Sequence, residues 1–149
     1  YLLDSARPVT AADVAALAPL SATAEADDLL DLVGGQRPQA VSVLLARLYG
    51  QGTGPVTICI AALRHFRALL VLATETGDPA AALFRLRPPP PANRRDRIIA
   101  QARDLGRARI EKALSILIDT DLDLRSASHA PQQALVERAL LKIAYLPRV

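Results

Sequence analysis

Apolar residues recur at spacings of three and four along most of this chain, which predicts helices that each bury one face. The predicted helices are VTAADVAALAPL, SATAEADDLLDLVGG, RPQAVSVLLARLYG, GPVTICIAALRHFRALLVLATETGD, DPAAALFRL, ANRRDRIIAQARDL, GRARIEKALSILIDTDLDLR and QQALVERALLKIAYL. No segment alternates apolar and polar residues for long enough to predict a strand, and the connections between helices are short. The pattern therefore predicts an all-α fold, a helical bundle.

The segment GPVTICIAALRHFRALLVLATETGD predicts the most apolar helix, and it is apolar on two sides. One side consists of Val56, Cys59, Ile60, Leu63 and Leu70. The nearly opposite side consists of Ile58, Ala62, His65, Leu69 and Leu72. A helix that is apolar on two sides is buried on two sides, either by its own bundle or by another chain. We therefore take Ile58, His65, Leu69 and Leu72 as a candidate partner interface, with a further helix of the same bundle as the alternative cover.

The amino-acid composition agrees with a helical core and bears on where in the cell the protein is expected. Hydrophobic residues make up 51% of the chain but aromatic residues only 3%, so Ala, Leu, Ile and Val must build the core. Cys59 is the single cysteine, which excludes an internal disulfide, and its apolar neighbours predict a buried, unreactive thiol. No uninterrupted apolar run reaches the roughly 18 residues of a membrane span, and we expect a cytoplasmic protein without a membrane partner. Because the chain begins at Tyr1, we expect it to be the C-terminal piece of a longer protein.

The formal net charge is only +3, but acidic and basic residues are concentrated in different parts of the chain. Within residues 1–33 the acidic residues are Asp4, Asp13, Glu25, Asp27, Asp28 and Asp31, and the basic residue is Arg7. Within residues 85–112 the basic residues are Arg85, Arg87, Arg94, Arg95, Arg97, Arg103, Arg107, Arg109 and Lys112. This distribution fits docking between unlike surfaces, or nucleic acid near the basic part, and it equally fits two solvated faces.

No motif for catalysis or cofactor binding emerges from the sequence. The glycine clusters GGQRPQ and GQGTGP lack the Lys-Ser/Thr of a phosphate-binding loop, and both stand at helix ends where glycine is common. His65 and His129 are too few and too far apart to predict a metal site. We therefore expect no enzymatic activity, no cofactor and no metal in this chain.

The basic helix after the proline run offers two kinds of candidate residue. With Ile98, Ile99, Ala102 and Leu105 taken as its buried face, Arg95 lies on that face. Asp121 lies on the apolar face of the next helix, with Arg125 one turn later. We therefore expect Asp121 to be held by Arg125, by Arg95 or by both, as a candidate structural ion pair that joins the two helices. The candidate contacts for DNA or a partner are Arg94, Arg97, Arg103 and His129.

Two long stretches of the chain resemble a known family. The first, ADDLLDLVGGQRPQAVSVLLARLYGQGTGPVTICIAALRHFRALL, has an acidic helix that stops at glycine, then a helix ending in a glycine turn, then a proline-started helix with an Arg-x-Phe-Arg-x-Leu pattern. The second, PPANRRDRIIAQARDLGRARIEKALSILIDTDLDLR, has a paired-arginine helix and ends in Asp-Leu-Asp-Leu-Arg, where the family has Lys in the last place. In order and spacing the sequence resembles the delta subunit of the bacterial DNA polymerase III clamp loader over nearly its whole length.

This resemblance implies a specific domain organisation and role. Residues 1–20 would be the end of the AAA+ lid region, and residues 21–149 the C-terminal helical collar domain. Collars of that family form a ring, so the implied partners are the other clamp-loader subunits, of gamma/tau and delta-prime type. The sliding clamp would be contacted only through the N-terminal part of the longer protein. The resemblance implies a non-catalytic subunit of a DNA-directed DNA polymerase holoenzyme, which helps to load the clamp onto primed DNA during replication.

The alternative function is a stand-alone helical domain that binds nucleic acid or acts as a scaffold through its arginine-rich helix. A helix that reads a DNA groove exposes its basic residues together. In this sequence the arginines are scattered around the helix, which disfavours that alternative. The loops at residues 88–93 and 126–131 also carry no aromatic side chain to stack on a base.

Overall fold

The computed structural model of the chain describes residues 24–86, 90–126 and 131–147. Within these ranges the regular secondary structure is helical and no strand occurs, which confirms the all-α prediction. The helix predicted near residue 10, the boundary at residue 20 and His129 all lie outside the described residues.

The described helices follow the segments that the apolar periodicity predicted. They are α1 (24–34), α2 (Pro38–Gly50), α3 (Pro55–Ala73), α4 (Pro79–Leu83), α5 (Ala92–Arg125) and α6 (Gln132–Ala144). Pro38, Pro55 and Pro79 occupy the first turn of α2, α3 and α4, where the missing amide hydrogen loses no helical hydrogen bond. The Asp78 side chain also caps α4, since it accepts a hydrogen bond from the Ala80 amide at 3.0 Å.

Helix α1 ends at Gly34 and Gly35, as the sequence predicted. The residue with left-handed backbone is the next one, Gln36, at φ 56°. The amides of Gln36 and Arg37 reach back to carbonyls of the last helical turn at 3.1 and 2.9 Å. Gly34 also serves close packing, because a Cβ atom there would lie 2.3 Å from the Gln101 side-chain oxygen. Glycine at this position thus lets α1 approach α5.

Helix α5 is interrupted in its middle. Gly106 has φ 77° and ψ 161°, a backbone conformation that is essentially restricted to glycine, and it separates two helical segments. This break coincides with the boundary between the two helices that the sequence predicted. No side chain is excluded by crowding here, since nothing lies within 4 Å of the position that a Cβ atom would take. Glycine is therefore required at residue 106 by conformation.

Helix α3 lies at the centre of the bundle. It packs against α5 and also contacts α4 and α6, while α6 contacts α2 and α5. Phe66 at the middle of α3 is fully buried in the hydrophobic core. The candidate partner interface of Ile58, His65, Leu69 and Leu72 is buried as well, with 1, 9, 0 and 6% of each residue exposed. Helices of the same chain cover this face, so the alternative holds and these residues are not a partner interface.

Helix α3 is also long and apolar enough to cross a membrane, judged by length and composition alone. It has 19 residues and a mean hydropathy of 1.8, and elsewhere in the described residues no helix meets these criteria. The sequence expectation considered uninterrupted apolar runs, and Arg64 and Arg67 interrupt this one. The core helix of a soluble protein meets the same criteria, and α3 buries its larger apolar side chains inside this bundle.

Candidate partner interface

The face of α3 that the bundle leaves uncovered is apolar and basic. Val56, Ile60 and Val71 are 43, 45 and 38% exposed. Arg64 and Arg67 are exposed between them. These residues are spaced by four, four, three and four positions, so they form one stripe, which we call the α3 outer face. At 1.5 Å of rise per residue, the stripe is about 22 Å long.

The sequence correctly indicated two apolar sides on α3, but the exposed apolar residues lie on the side opposite the candidate interface. Val56 and Ile60 belong to the side that the sequence grouped with Cys59 and Leu63. The structure buries Cys59 and Leu63 and leaves Val56 and Ile60 at the surface. A helical face about 100° wide is enough to fill one side of a core, and the remaining apolar residues then lie outside it.

A buried polar network connects α1, α3 and α5 behind this surface. The Arg94 guanidinium donates two hydrogen bonds of 2.9 Å to the Asp31 carboxylate. The Gln101 side-chain nitrogen donates a third hydrogen bond to Asp31 at 2.8 Å. The Gln101 side-chain oxygen lies 2.8 Å from Nε2 of His65, so this oxygen accepts and the His65 ring carries its proton on Nε2. We call these four residues the Asp31 network.

The Asp31 network corrects the role that the sequence assigned to Arg94. Arg94 was predicted to be available to DNA or a partner, but it is 8% exposed and its charge is taken up by Asp31, with Asp27 at 3.8 Å. The buried face of this helix contains Ile98, Ala102 and Leu105, as the sequence predicted. It extends to Arg94 and Gln101, whereas Arg95 is only half-buried. An arginine buried this deeply is held by its carboxylate partner and is not an available contact.

The other predicted contact residues of this helix remain at the surface. Arg97 is 63% exposed and lies 3.5 Å from Asp31, at the outer edge of the network. Arg103 is exposed and forms neither an ion pair nor a hydrogen bond within the described parts of the chain. Among the three predicted contact residues on α5, Arg94 is buried, whereas Arg97 and Arg103 are at the surface with different surroundings. They do not form the continuous basic stripe that a groove-reading helix would present.

The candidate structural ion pair forms only in part. Asp121 and Arg125 lie 3.1 Å apart, but both are on α5 and Arg125 is 74% exposed, so the pair joins no two helices. Arg95 takes no part in it, since its guanidinium lies over the Phe84 ring at 5.2 Å. The prediction that this pair connects the helices is therefore wrong. A different pair, Asp31 and Arg94, connects α1 to α5 through residues that the sequence had not paired.

A second polar cluster ties the break in α5 to the ends of α1 and α6. Arg109 donates from Nε to the Leu105 carbonyl at 2.8 Å, which satisfies a carbonyl at the end of the first segment of α5. Its Nη1 donates to the Gln36 side-chain oxygen at 2.5 Å. The Gln36 side-chain nitrogen donates in turn to the Leu146 carbonyl at 2.7 Å. These contacts hold the left-handed residue Gln36 in place and fix the position of the break.

Some of these residues could have been found from the sequence by one signal. Gln101 and Arg109 are polar residues that occupy apolar helical faces, next to Ala102 and Ile110. A polar residue at such a position needs a buried partner. The identity of the partners could not be predicted, since Gln101 bonds to Asp31, 70 positions away, and Arg109 bonds to Gln36, 73 positions away.

Burial favours the uncharged forms of His65 and Cys59. Burial lowers the pKa of His65, against smaller raising effects of the Gln101 hydrogen bond and of Asp31. Burial raises the pKa of Cys59 to about 11, with Asp121 contributing in the same direction. This thiol is 1% exposed, which confirms that it is buried. A thiol with this pKa is a poor nucleophile near neutral pH, and the buried His65 ring is engaged by Gln101.

Among the described residues, no group of three or more His, Cys, Asp or Glu side chains is arranged to hold a metal ion. No protein-family model matches the sequence, and comparisons with curated proteins and with solved structures give no significant match.

Proposed function

We propose that this chain is an assembly module, the C-terminal collar domain of the delta subunit of a bacterial DNA polymerase III clamp loader. In this role it binds neighbouring subunits of gamma/tau and delta-prime type in the bacterial cytoplasm. It contributes no catalysis and needs no cofactor, and it helps to hold the complex that opens the sliding clamp and loads it onto primed DNA. The sequence resemblance supplies the identity of the complex.

The single observation that carries the proposal is the α3 outer face. Val56, Ile60 and Val71 remain exposed on the most apolar helix of the bundle, in line with Arg64 and Arg67. Covering a half-exposed Val or Ile side chain contributes on the order of 1 kcal/mol. The aliphatic parts of the two arginines extend the apolar surface, while their charged ends select an acidic rim on the partner. Such a stripe suits helix-to-helix contact between subunits.

The polar network behind α3 supports the same role. An interface is most effective when its surface is rigid before binding, because less conformational entropy is then lost. His65 connects the inner side of α3 to Gln101, and Gln101 connects to Asp31. The helix that carries the outer face is thereby fixed to α1 and α5.

Co-purification tests the proposal. The chain would be expressed with an affinity tag together with the gamma/tau and delta-prime subunits of the same organism. We expect a stable complex that survives size-exclusion chromatography. A primed DNA duplex, offered to the chain alone, is the comparison. Binding of the duplex by the isolated chain, without binding of the subunits, would favour the nucleic-acid-binding alternative and contradict the proposal.

A further inference from the structure

A small cleft lies where α3, α4 and α5 meet, away from the α3 outer face. It has a volume of about 270 Å³. Its floor is formed by Leu72, Ala73, Pro79, Ile99 and Ala102. Leu72 and Ala102 are nearly covered, whereas Ile99 and Pro79 are half-buried, so apolar atoms remain accessible at the bottom of the cleft.

The rim of this cleft is basic on its α5 side. Arg103 and Arg107 line the cleft on either side of Gly106, and both are exposed. Arg107 shares its charge with Glu111 at 3.4 Å, whereas Arg103 has no ion pair or hydrogen bond in the described parts of the chain.

The break at Gly106 separates the two arginines at the rim of the cleft. Because Gly106 itself lines the cleft and turns the chain between Arg103 and Arg107, the guanidinium groups belong to two separate helical segments. Glu111 is paired with Arg107, and no carboxylate of the described residues forms an ion pair with Arg103. The Arg103 guanidinium therefore remains available to a carboxylate of a ligand.

We propose that this cleft binds a short acidic segment of a partner protein, with one aliphatic side chain in the apolar floor and carboxylates on Arg103 and Arg107. The volume accommodates a side chain of leucine size, and guanidinium groups pair with carboxylates through two parallel hydrogen bonds. A nucleic acid fits less well, because a narrow apolar floor offers nothing to a phosphate backbone and no aromatic side chain lines the cleft. The inference does not depend on the proposed collar function, which concerns a different surface.

Fluorescence anisotropy with a defined probe tests this inference on the full chain. The probe is a fluorescein-labelled peptide, Gly-Asp-Asp-Leu-Asp-Glu-Gly. One control peptide replaces the acidic residues with Asn and Gln, and a second replaces Leu with Ala. We expect saturable binding of the probe and a loss of about tenfold in affinity for each control peptide, because each removes one half of the recognition.

Matched variants locate the site. Arg103→Glu should weaken probe binding by about tenfold or more, whereas Lys112→Glu, on the same helix and outside the cleft, should change it by less than about twofold. Arg103→Lys should fall between these two, since it keeps the charge and loses the paired hydrogen bonds. Circular dichroism would verify that each variant is folded.

Three results would overturn the inference. The first is the absence of saturable binding at protein concentrations up to about 1 mM. The second is an equal loss of affinity in Arg103→Glu and Lys112→Glu, which would mean non-specific attraction to a basic surface. The third is full displacement of the peptide by a labelled oligothymidine that also loses affinity in Arg103→Glu, which would identify the site as one for nucleic acid.

Discussion

Replacing Asp31 with Ala removes the carboxylate that balances the buried Arg94 guanidinium. Arg94 would lose two hydrogen bonds of 2.9 Å together with its principal counter-charge. Gln101 would lose its 2.8 Å bond to the same carboxylate, and with it the contact that orients its oxygen toward His65. The substitution therefore affects α1, α3 and α5 together.

The expected loss of stability follows from the burial of the Asp31–Arg94 pair. Removing one member of a buried ion pair costs about 3–5 kcal/mol, because the other charge remains without compensation. The Arg94 side chain is 9% exposed and that of Asp31 is 16% exposed, so the pair is close to fully buried. Asp27 at 3.8 Å keeps part of the compensation, and we therefore expect about 3 kcal/mol, at the low end of that range. For a chain of this size the loss lowers the Tm by about 10 °C.

Far-UV circular dichroism during thermal and urea unfolding measures this loss. Asp121→Ala is the matched control, because Arg125 is 74% exposed and an exposed pair contributes about 0–1 kcal/mol. The double variant Asp31→Leu/Arg94→Met should recover part of the stability, since no buried charge is left without a partner. The reasoning is refuted if Asp31→Ala stays within about 1 kcal/mol of the parent, or loses no more than Asp121→Ala.

Three further predictions concern single residues. Burial lowers the pKa of His65 in the folded chain, so on acidification the unfolded chain, in which this pKa has its ordinary value of 6.5, takes up the proton first. The free energy of unfolding should therefore fall as the pH drops below about 6.5. The variant His65→Gln should flatten this pH dependence, measured from pH 7.5 to about 5.5. Gly106→Ala should lower the free energy of unfolding, measured in urea, by about 1–3 kcal/mol, because the backbone conformation at residue 106 suits glycine alone. The control Gly50→Ala, at the end of α2, should leave the stability unchanged or raise it slightly. Equal effects of the two substitutions would contradict this account. Cys59, with its pKa raised to about 11, should react with a thiol reagent only after unfolding, and rapid labelling of the native chain would show that it is accessible.

The positions of the helices could be predicted from the sequence because local residue patterns determine them. Apolar spacing marked each described helix, and prolines at residues 38, 55 and 79 marked three of the starts. The boundary at Gly106 was also predicted, from a glycine between two amphipathic segments. These features depend on residues a few positions apart, so periodicity and turn chemistry are sufficient to find them.

Contacts between segments that are distant in sequence could not be predicted from such patterns. The pairing of Arg94 with Asp31 depends on how α1 is placed against α5, and a shift of one position along a helix moves a residue by about 100°. The same limitation explains why the sequence left open how each side of α3 is covered, with His65 turned inward and Ile60 left at the surface. Helical periodicity identifies apolar faces, but tertiary packing decides which of two such faces enters the core.

The affinity of the α3 outer face for partner subunits tests the central claim most directly. Ile60→Asp places a charge in the middle of the exposed stripe, and Val43→Asp on α2, where Val43 is 73% exposed, is its control outside that stripe. Each variant would be titrated against the gamma/tau and delta-prime subunits by isothermal titration calorimetry, after circular dichroism has verified folding. The account predicts that Ile60→Asp raises the Kd by at least about tenfold while Val43→Asp stays within about twofold of the parent. Unchanged binding by folded Ile60→Asp would contradict it.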